Sequence, residues 1–145
     1  MARPRLVGVN HVALDVDDIE QTLAFWRRLF DIELRGSMRG AAFIDLGDQF
    51  VALMERRSRE DIRAHFGLVV DDKEATRRAL DAAGADIVPG RGLDFRDPSG
   101  NLIQVVQYDQ IQFTKDRSVL RAMALDLAKT DAALAELRAK GVAAG

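Results

Sequence analysis

The spacing of apolar and polar residues changes in the same way at two places along this chain. Residues Val9 to Val16 alternate like a half-buried strand, and after Asp17-Asp18 the apolar residues recur every three or four positions. The segment from His65 to Val70, followed by Asp71-Asp72, shows the same change. Each place therefore predicts a strand, a capping aspartate and an amphipathic helix.

Short strands are predicted after each of these helices, which run from Ile19 to Phe30 and from Asp72 to Ala83. The predicted strands are Ile32 to Leu34, Ala41 to Leu46, Phe50 to Met54, Ile87 to Val88, Leu93 to Arg96 and Asn101 to Tyr108. Asp97-Pro98-Ser99-Gly100 has the residue order of a type I turn, which predicts a hairpin between the last two strands. The chain thus predicts two successive units of order βαβββ.

The two units share a ten-residue phrase that begins with a histidine. The phrases from His11 to Glu20 and from His65 to Glu74 lie 54 positions apart and agree at six of ten places. Their histidines are the only two in the chain. Pairing of duplicated units can bring two imidazoles to one pseudo-symmetric point, and this arrangement can form a metal site without a dense local ligand motif.

Composition narrows the classes of partner. The chain has 145 residues, 48% of them hydrophobic and 30% charged, and a formal net charge of -2, with no long block of like charge. We therefore expect one globular domain that binds neither nucleic acid nor membranes. There is no cysteine, so nitrogen and oxygen must hold any metal. Neither an apolar signal core nor a span of ~20 apolar residues is present, which predicts a soluble, cytoplasmic protein.

The C-terminal residues 111–145 allow two interpretations. Arg121 to Leu127, then Thr130 to Lys140 and Gly141, have the order strand, cap, helix and glycine, which predicts a third, truncated half-unit with Ala122 at the histidine position. The alternative is an amphipathic helix that covers the sheet or a dimer partner. We expect a homodimer, because the tail offers apolar surface for such a contact through Leu120, Met123, Leu125, Leu127, Leu134 and Leu137.

The chain has two βαβββ units that each begin with a strand histidine, and it has Asp97-Pro98-Ser99-Gly100-Asn101 before the last strand. In these features it resembles the vicinal oxygen chelate superfamily, which includes glyoxalases, extradiol dioxygenases, fosfomycin-resistance transferases and bleomycin-resistance proteins. The resemblance covers about residues 6 to 110. It implies an α+β fold in which two paired modules, 6–57 and 63–110 with a linker at 56–62, form an open, cup-shaped mixed sheet, followed by a C-terminal strand and helix segment. The chain 1–145 is then one domain, whose modules pair within the chain or across a dimer.

In this superfamily the metal ligands come from the first and last strand of each module. Carried onto this chain, the resemblance implies His11 and His65 as ligands, with Ala52 and Gln104 at the last-strand positions that are commonly glutamate. Ala52 has no ligand atom, and Gln104 offers a neutral amide oxygen. The implied set is His11, His65 and Gln104 around a divalent ion, and these residues do not distinguish Fe, Mn, Zn and Ni.

Strand alternation places Tyr108 on the same face as Gln104, so Tyr108 is the candidate acid or donor in the cup. Glu55 alternates with Met54 and should point away, while the direction of Asp45 stays open. The expected function is a metal-dependent enzyme of lyase, isomerase or dioxygenase type that acts on a small oxygen-chelating substrate. The alternative is a metal-free protein that binds a drug or metabolite, similar to bleomycin-resistance proteins.

Overall fold

The computed structural model describes residues 2–143 of the chain. Its strands are β1 (Leu6–Val16), β2 (Leu34–Met38), β3 (Ala41–Asp45), β4 (Phe50–Glu55), β5 (His65–Val70), β6 (Asp86–Val88), β7 (Leu93–Arg96) and β8 (Leu102–Gln107). Its helices are α1 (Ile19–Leu29), α2 (Lys73–Ala82), α3 (Arg117–Ala122) and α4 (Asp131–Ala139), and a 3-10 turn spans Tyr108–Gln110. Within residues 2–143, none of the helices has the length and hydropathy needed to cross a bilayer.

The eight strands found in residues 2–143 form one mixed sheet in the order β2-β3-β4-β1-β5-β8-β7-β6. The first strands of the two modules, β1 and β5, pair antiparallel at its centre. Each also pairs in parallel with the last strand of its own module, β1 with β4 and β5 with β8. The modules are therefore joined within one chain, and the predicted α+β fold with an open mixed sheet is confirmed.

Aspartates begin the two module helices, as their positions predict. Asp18 Oδ1 accepts a hydrogen bond from the backbone N–H of Gln21 at 2.8 Å, and Asp72 Oδ1 accepts one from the backbone N–H of Ala75 at 2.9 Å. Each bond satisfies one of the free N–H groups at a helix N-terminus. Asp18 and Asp72 therefore stabilise the fold.

The sheet has an outer face, covered by α1 and α2, and an inner face that carries the predicted ligands. On β4, Leu53 belongs to the same buried cluster as Ile19 of α1, so the neighbouring Ala52 points to the inner face. The register sets Ala13 of β1 beside Ala52. Alternation along β1 then places His11 on the inner face as well.

The second strand begins later than the sequence predicts. The expected strand was Ile32 to Leu34, whereas β2 spans Leu34–Met38. Ile32 instead packs against the buried cluster of α1. A register shift between Leu34 and Gly36 lets the strand continue through the glycine.

The predicted third half-module is not formed. The prediction of a strand from Arg121 to Leu127 is wrong, because these residues do not form one. Helix α3 ends at Ala122, and Ala124 has a left-handed φ of 57°. The N–H of Leu125 donates to the carbonyl of Leu120 at 2.9 Å, which closes the helix end in the way common to such left-handed residues. The tail thus follows the second interpretation and covers the sheet.

The apolar residues of the tail are used inside the chain. Leu120 and Leu125 are buried in a cluster with Val7 and Val69 of the sheet. The ammonium of Lys129 holds the preceding turn by donating to three backbone carbonyls, those of Tyr108, Ile111 and Phe113. Because this surface is occupied, it gives no support to a homodimer, which stays a prediction.

Candidate functional site

The two histidines meet on the inner face, where β1 pairs with β5. The register sets His11 beside Gly67 and His65 beside Ala13. Nε2 of His11 lies 3.1 Å from Nε2 of His65, although the residues are 54 positions apart. The two rings stand at 86° to each other. The pairing of the modules therefore brings both imidazoles to one point.

Hydrogen bonds at the far side of each ring determine which nitrogen is free. Nδ1 of His65 lies 2.7 Å from the carbonyl oxygen of Arg63, which can only accept, so Nδ1 carries the proton of the neutral ring. Nδ1 of His11 lies 2.8 Å from Oδ1 of Asn10, and this amide orientation assigns the same tautomer to His11. In both neutral rings, Nε2 therefore carries a lone pair.

The facing lone pairs fit a divalent cation. Two lone pairs 3.1 Å apart repel each other unless a positive charge lies between them. A separation of 3.1 Å would let one divalent ion bond to both Nε2 atoms. Among the residues that the structure describes, no three His, Cys, Asp or Glu side chains are grouped to bind a metal. A third protein ligand must therefore be of another type.

Gln104 lies on the same face of the sheet as the two histidines. Its neighbour Val105 packs into the outer-face cluster under α2, so Gln104 points to the inner face. The register sets Gln104 beside Gly67, and Gly67 beside His11. The three predicted ligands therefore lie on one face, with Gln104 across Gly67 from His11.

Gly67 makes room for the His11 ring. A Cβ atom at Gly67 would lie 2.3 Å from Nδ1 of His11 and 2.1 Å from Oδ1 of Asn10. These distances are far shorter than any van der Waals contact, so a side chain would force both groups to move. The His11 ring thus lies across the backbone of β5 and points toward Gln104.

His11 is the more firmly held histidine, with only 6% of its surface exposed. Its ring stacks on Phe50 at a centroid distance of 4.5 Å and an angle of 7°. Burial lowers the pKa of His11 to about 4, and repulsion from His65 and Arg35 adds to this effect, while the side chain of Gln104 opposes it. His11 is therefore neutral at pH 7 and needs to lose no proton to bind a metal.

Tyr108, the predicted acid, lies away from the histidines. It begins the 3-10 turn after β8 and is 3% exposed within the tail cluster. Its hydroxyl lies 3.3 Å from Oγ1 of Thr114 and accepts a hydrogen bond from the backbone N–H of Lys115 at 3.2 Å. Tyr108 packs with Val106 of β8 and with the tail, and its hydroxyl is bonded to the tail.

The remaining acidic candidates also have structural partners. Oε2 of Glu55 accepts from the N–H of Ile19 at 3.2 Å, so Glu55 points toward α1 as alternation predicts. Asp45 forms ion pairs with Arg35 at 3.2 Å and with Lys140 of the tail at 2.7 Å. Neither carboxylate is free to replace the glutamate that the ligand set lacks.

Several residues of the site are not found by motif reasoning. Asn10 directly precedes the repeated phrase, and Gly67 replaces the Ala13 of the first copy. Asp94 of β7 lies beside Gln104, which could be found by counting both strands back from the Asp97-Pro98-Ser99-Gly100 turn. The stack on Phe50 requires the register of β1 and β4, which no local signal in the sequence encodes.

Comparisons with known proteins agree with this architecture. Residues 11–106 match the model of a family described as a glyoxalase-like domain. The chain is 26% identical over 113 residues to a glutathione transferase FosA of Serratia marcescens, which covers 69% of this chain and 80% of that protein. It is 25% identical over 114 residues to a metallothiol transferase FosB of Shouchella clausii, covering 68% of this chain and 78% of that protein.

A solved structure shares the fold at lower identity. The Mn(II)-bound glyoxalase from Novosphingobium aromaticivorans aligns with a TM-score of 0.59 and 21% identity, over 78% of this chain and 42% of that chain. The residues matched by the family include His11, His65 and Gln104. The chain therefore belongs to the glyoxalase-like domain family, within the vicinal oxygen chelate superfamily.

Proposed function

We propose that this protein is a divalent-metal-dependent enzyme that acts on a small oxygen-chelating substrate. The observation that carries the proposal is the pair of Nε2 atoms 3.1 Å apart, each with its lone pair turned toward the other. His11, His65 and Gln104 would hold the ion. The relatives support this assignment, since one is named a metallothiol transferase and another is a glyoxalase with bound Mn(II).

The protein side chains would prepare the site for a chelating substrate. When bound to these residues, a divalent ion would supply Lewis acidity toward two neighbouring substrate oxygens. Asn10 and the Arg63 carbonyl hold both imidazoles in the metal-binding tautomer. A small cavity of about 120 Å³ adjoins His11 and Phe50.

The ligand set favours an anionic substrate. Two neutral imidazoles and the amide of Gln104 bring no negative charge, so the full charge of the ion acts on the substrate. Its oxygens would then take the place of the carboxylate that Gln104 lacks. The named relatives add group transfer to the lyase, isomerase and dioxygenase reactions expected from the sequence. We assign no proton transfer to Tyr108, because its hydroxyl is bonded to the tail.

Metal titration tests this proposal. We expect one Mn²⁺ per chain, strongly reduced binding in His11→Ala and His65→Ala, and at least roughly tenfold tighter binding in Gln104→Glu because a carboxylate replaces an amide. Gln104→Leu should weaken binding, whereas Gln110→Leu at an exposed position provides the matched control. Full retention of the metal in both histidine variants would contradict the assigned ligands.

The second candidate function is that of a metal-free binding protein. It is favoured by Ala52 and Gln104 at the two last-strand positions, and by the finding that no three His, Cys, Asp or Glu side chains group together within the described part of the chain. It predicts no stoichiometric metal in the purified protein. It also predicts a rise in Tm with a bulky apolar ligand, because a ligand that binds the folded state stabilises it.

A further inference from the structure

We infer that Asp94 is a substrate-binding residue of the inner face that accepts a hydrogen bond from a hydroxyl or ammonium group. The substrate would be a small oxygen chelator that carries such a donor next to its chelating oxygens. This inference rests on the proposed function and deepens it, since it concerns the same site. Asp94 would contact the substrate, while Gln104 stays a ligand of the ion.

Asp94 is placed next to Gln104 by the register of the sheet. Strands β7 and β8 pair antiparallel, and Asp94 stands directly opposite Gln104. Such opposite residues have Cβ atoms about 4.5–5.5 Å apart. The neighbours of Asp94, Leu93 and Phe95, both pack in the outer-face cluster, so Asp94 points to the inner face.

One carboxylate oxygen of Asp94 has no partner. Oδ1 is buried, and no hydrogen-bond partner is found for it within residues 2–143. A Cβ atom at Gly92 would lie 3.5 Å from this oxygen, which is ordinary van der Waals contact, so Oδ1 lies beside the backbone of Gly92. A buried carboxylate oxygen without a partner costs free energy, and such a group calls for a functional explanation.

A second buried oxygen without a partner provides a contrast. Oε1 of Gln112 is also unbonded, but it belongs to a neutral amide whose nitrogen donates to Glu136 in the tail at 3.1 Å. Gln112 lies in the segment between the 3-10 turn and α3, outside the strands that carry the predicted ligands. Asp94, in contrast, faces the same side of the sheet as Gln104 and its unbonded atom belongs to a carboxylate.

The chemistry of Asp94 defines the group it would bind. We assign Asp94 to the substrate and leave the proposed ion to His11, His65 and Gln104. A carboxylate only accepts hydrogen bonds, so the partner must carry O–H or N–H. A substrate whose chelating oxygens bind the ion beside Gln104 of β8, and whose donor group is one carbon further along, would also reach Asp94 of β7.

Three small acids form a matched series of probes. Lactate, glycerate and isoserine share a 2-hydroxycarboxylate head and carry a methyl, a hydroxyl and an ammonium group at the next carbon. We expect the Mn²⁺-loaded protein to bind glycerate and isoserine roughly tenfold more tightly than lactate in calorimetric titrations. Asp94→Ala should abolish both preferences. Asp94→Asn should keep the preference for glycerate, because its amide oxygen still accepts, and lose most of the preference for isoserine.

Thermal unfolding of the metal-free protein gives a second readout. If Asp94 serves binding, Asp94→Ala removes an unsatisfied buried group and should raise Tm. Asp86→Ala, at an exposed acidic position of the adjacent strand β6, is the control and should change neither Tm nor the preferences. A lower Tm in Asp94→Ala, or unchanged probe preferences in this variant, would overturn the inference.

Failure of the proposed function is recognised separately. If the unmodified protein binds no Mn²⁺, the metal-dependent function is wrong, whatever Asp94 does. The three probes are then compared by thermal shift on the metal-free protein. If glycerate and isoserine raise Tm more than lactate does, and Asp94→Ala abolishes this difference, the inference about Asp94 stands. Equal shifts of Tm for all three probes would overturn it.

Discussion

Module one holds its histidine more tightly than module two does. His11 is 6% exposed, stacks on Phe50 and bonds to the side chain of Asn10. His65 is only partly buried, and its Nδ1 bonds to a main-chain carbonyl. By register, Leu102 stands in module two where Phe50 stands in module one. The duplicated histidines therefore have different surroundings.

Module two contributes the polar groups instead. Gln104 and Asp94 face each other on β8 and β7, while the equivalent pair on β4 and β3 of module one is Ala52 and Phe43. One copy of the repeat thus supplies a rigid ligand and an apolar wall, and the other supplies hydrogen-bonding groups. Duplication allows this division, because the common backbone preserves the meeting point of the histidines while the neighbouring positions diverge.

The largest effect should come from removing either histidine. We expect His11→Ala and His65→Ala each to weaken Mn²⁺ binding by more than about 100-fold, since even residues that only hold a metal ligand in place contribute 10–100-fold.

The comparison of the modules predicts that the two substitutions lower the free energy of unfolding by different amounts. His11→Ala should lower the free energy of unfolding by about 2–4 kcal/mol, and His65→Ala by less than about 1 kcal/mol. Equal destabilisation in urea unfolding would contradict the asymmetry.

The pH dependence of stability should separate the two histidines next. The pKa of His11 falls from 6.5 to about 4 on folding, so below pH 6.5 the unfolded chain takes up a proton that the folded chain does not. The metal-free protein should therefore lose up to about 3 kcal/mol of stability between pH 6.5 and 4. His11→Phe should remove this part of the loss, and an unchanged pH profile in that variant would argue against it.

Gly67 and its counterpart Ala13 sharpen the comparison further. Gly67→Ala places a methyl group where the His11 ring lies, so we expect a loss of about 1–3 kcal/mol in stability and weaker Mn²⁺ binding. Ala13→Gly, the reciprocal change, should cost about 1 kcal/mol and leave metal binding intact. Full Mn²⁺ affinity in Gly67→Ala would contradict this prediction, because it would show that metal binding does not require the His11 ring to lie over Gly67.

The smallest effect should come from the partner of His11. Asn10→Leu removes the acceptor that holds Nδ1–H, and we expect about tenfold weaker Mn²⁺ binding. Asn10→Asp keeps an acceptor and should retain most of the affinity. Equal affinities for all three proteins would show that Asn10 does not orient the ring.

Much of the fold could be predicted because its signals are local. Asp18, Asp72 and the turn from Asp97 to Gly100 each act on residues within a few positions, and the structure contains both caps and the hairpin. Local signals were not sufficient to exclude a strand in the tail. The sequence alternates between apolar and other residues from Arg121 to Leu127, as in a strand. However, burial of Leu120 and Leu125 in one cluster with the sheet favours a helix that ends in a left-handed residue.

The candidate site could be predicted only in part. The repeat is sufficient to single out His11 and His65, since two copies of one phrase occupy equivalent strands. Asn10, Phe50 and Asp94 depend on the register of the strands, and the surroundings of Tyr108 depend on how the tail packs. Tyr108 illustrates the role of the tail, which packs on Tyr108 and Val106 and bonds the Tyr108 hydroxyl.

The central claim is that His11, His65 and Gln104 bind one divalent ion, and anomalous scattering from Mn²⁺ in crystals of the protein tests it most directly. We predict a single anomalous peak per chain, within bonding distance of both Nε2 atoms and of Oε1 of Gln104. A peak at another position, or no peak at saturating Mn²⁺, would contradict the claim.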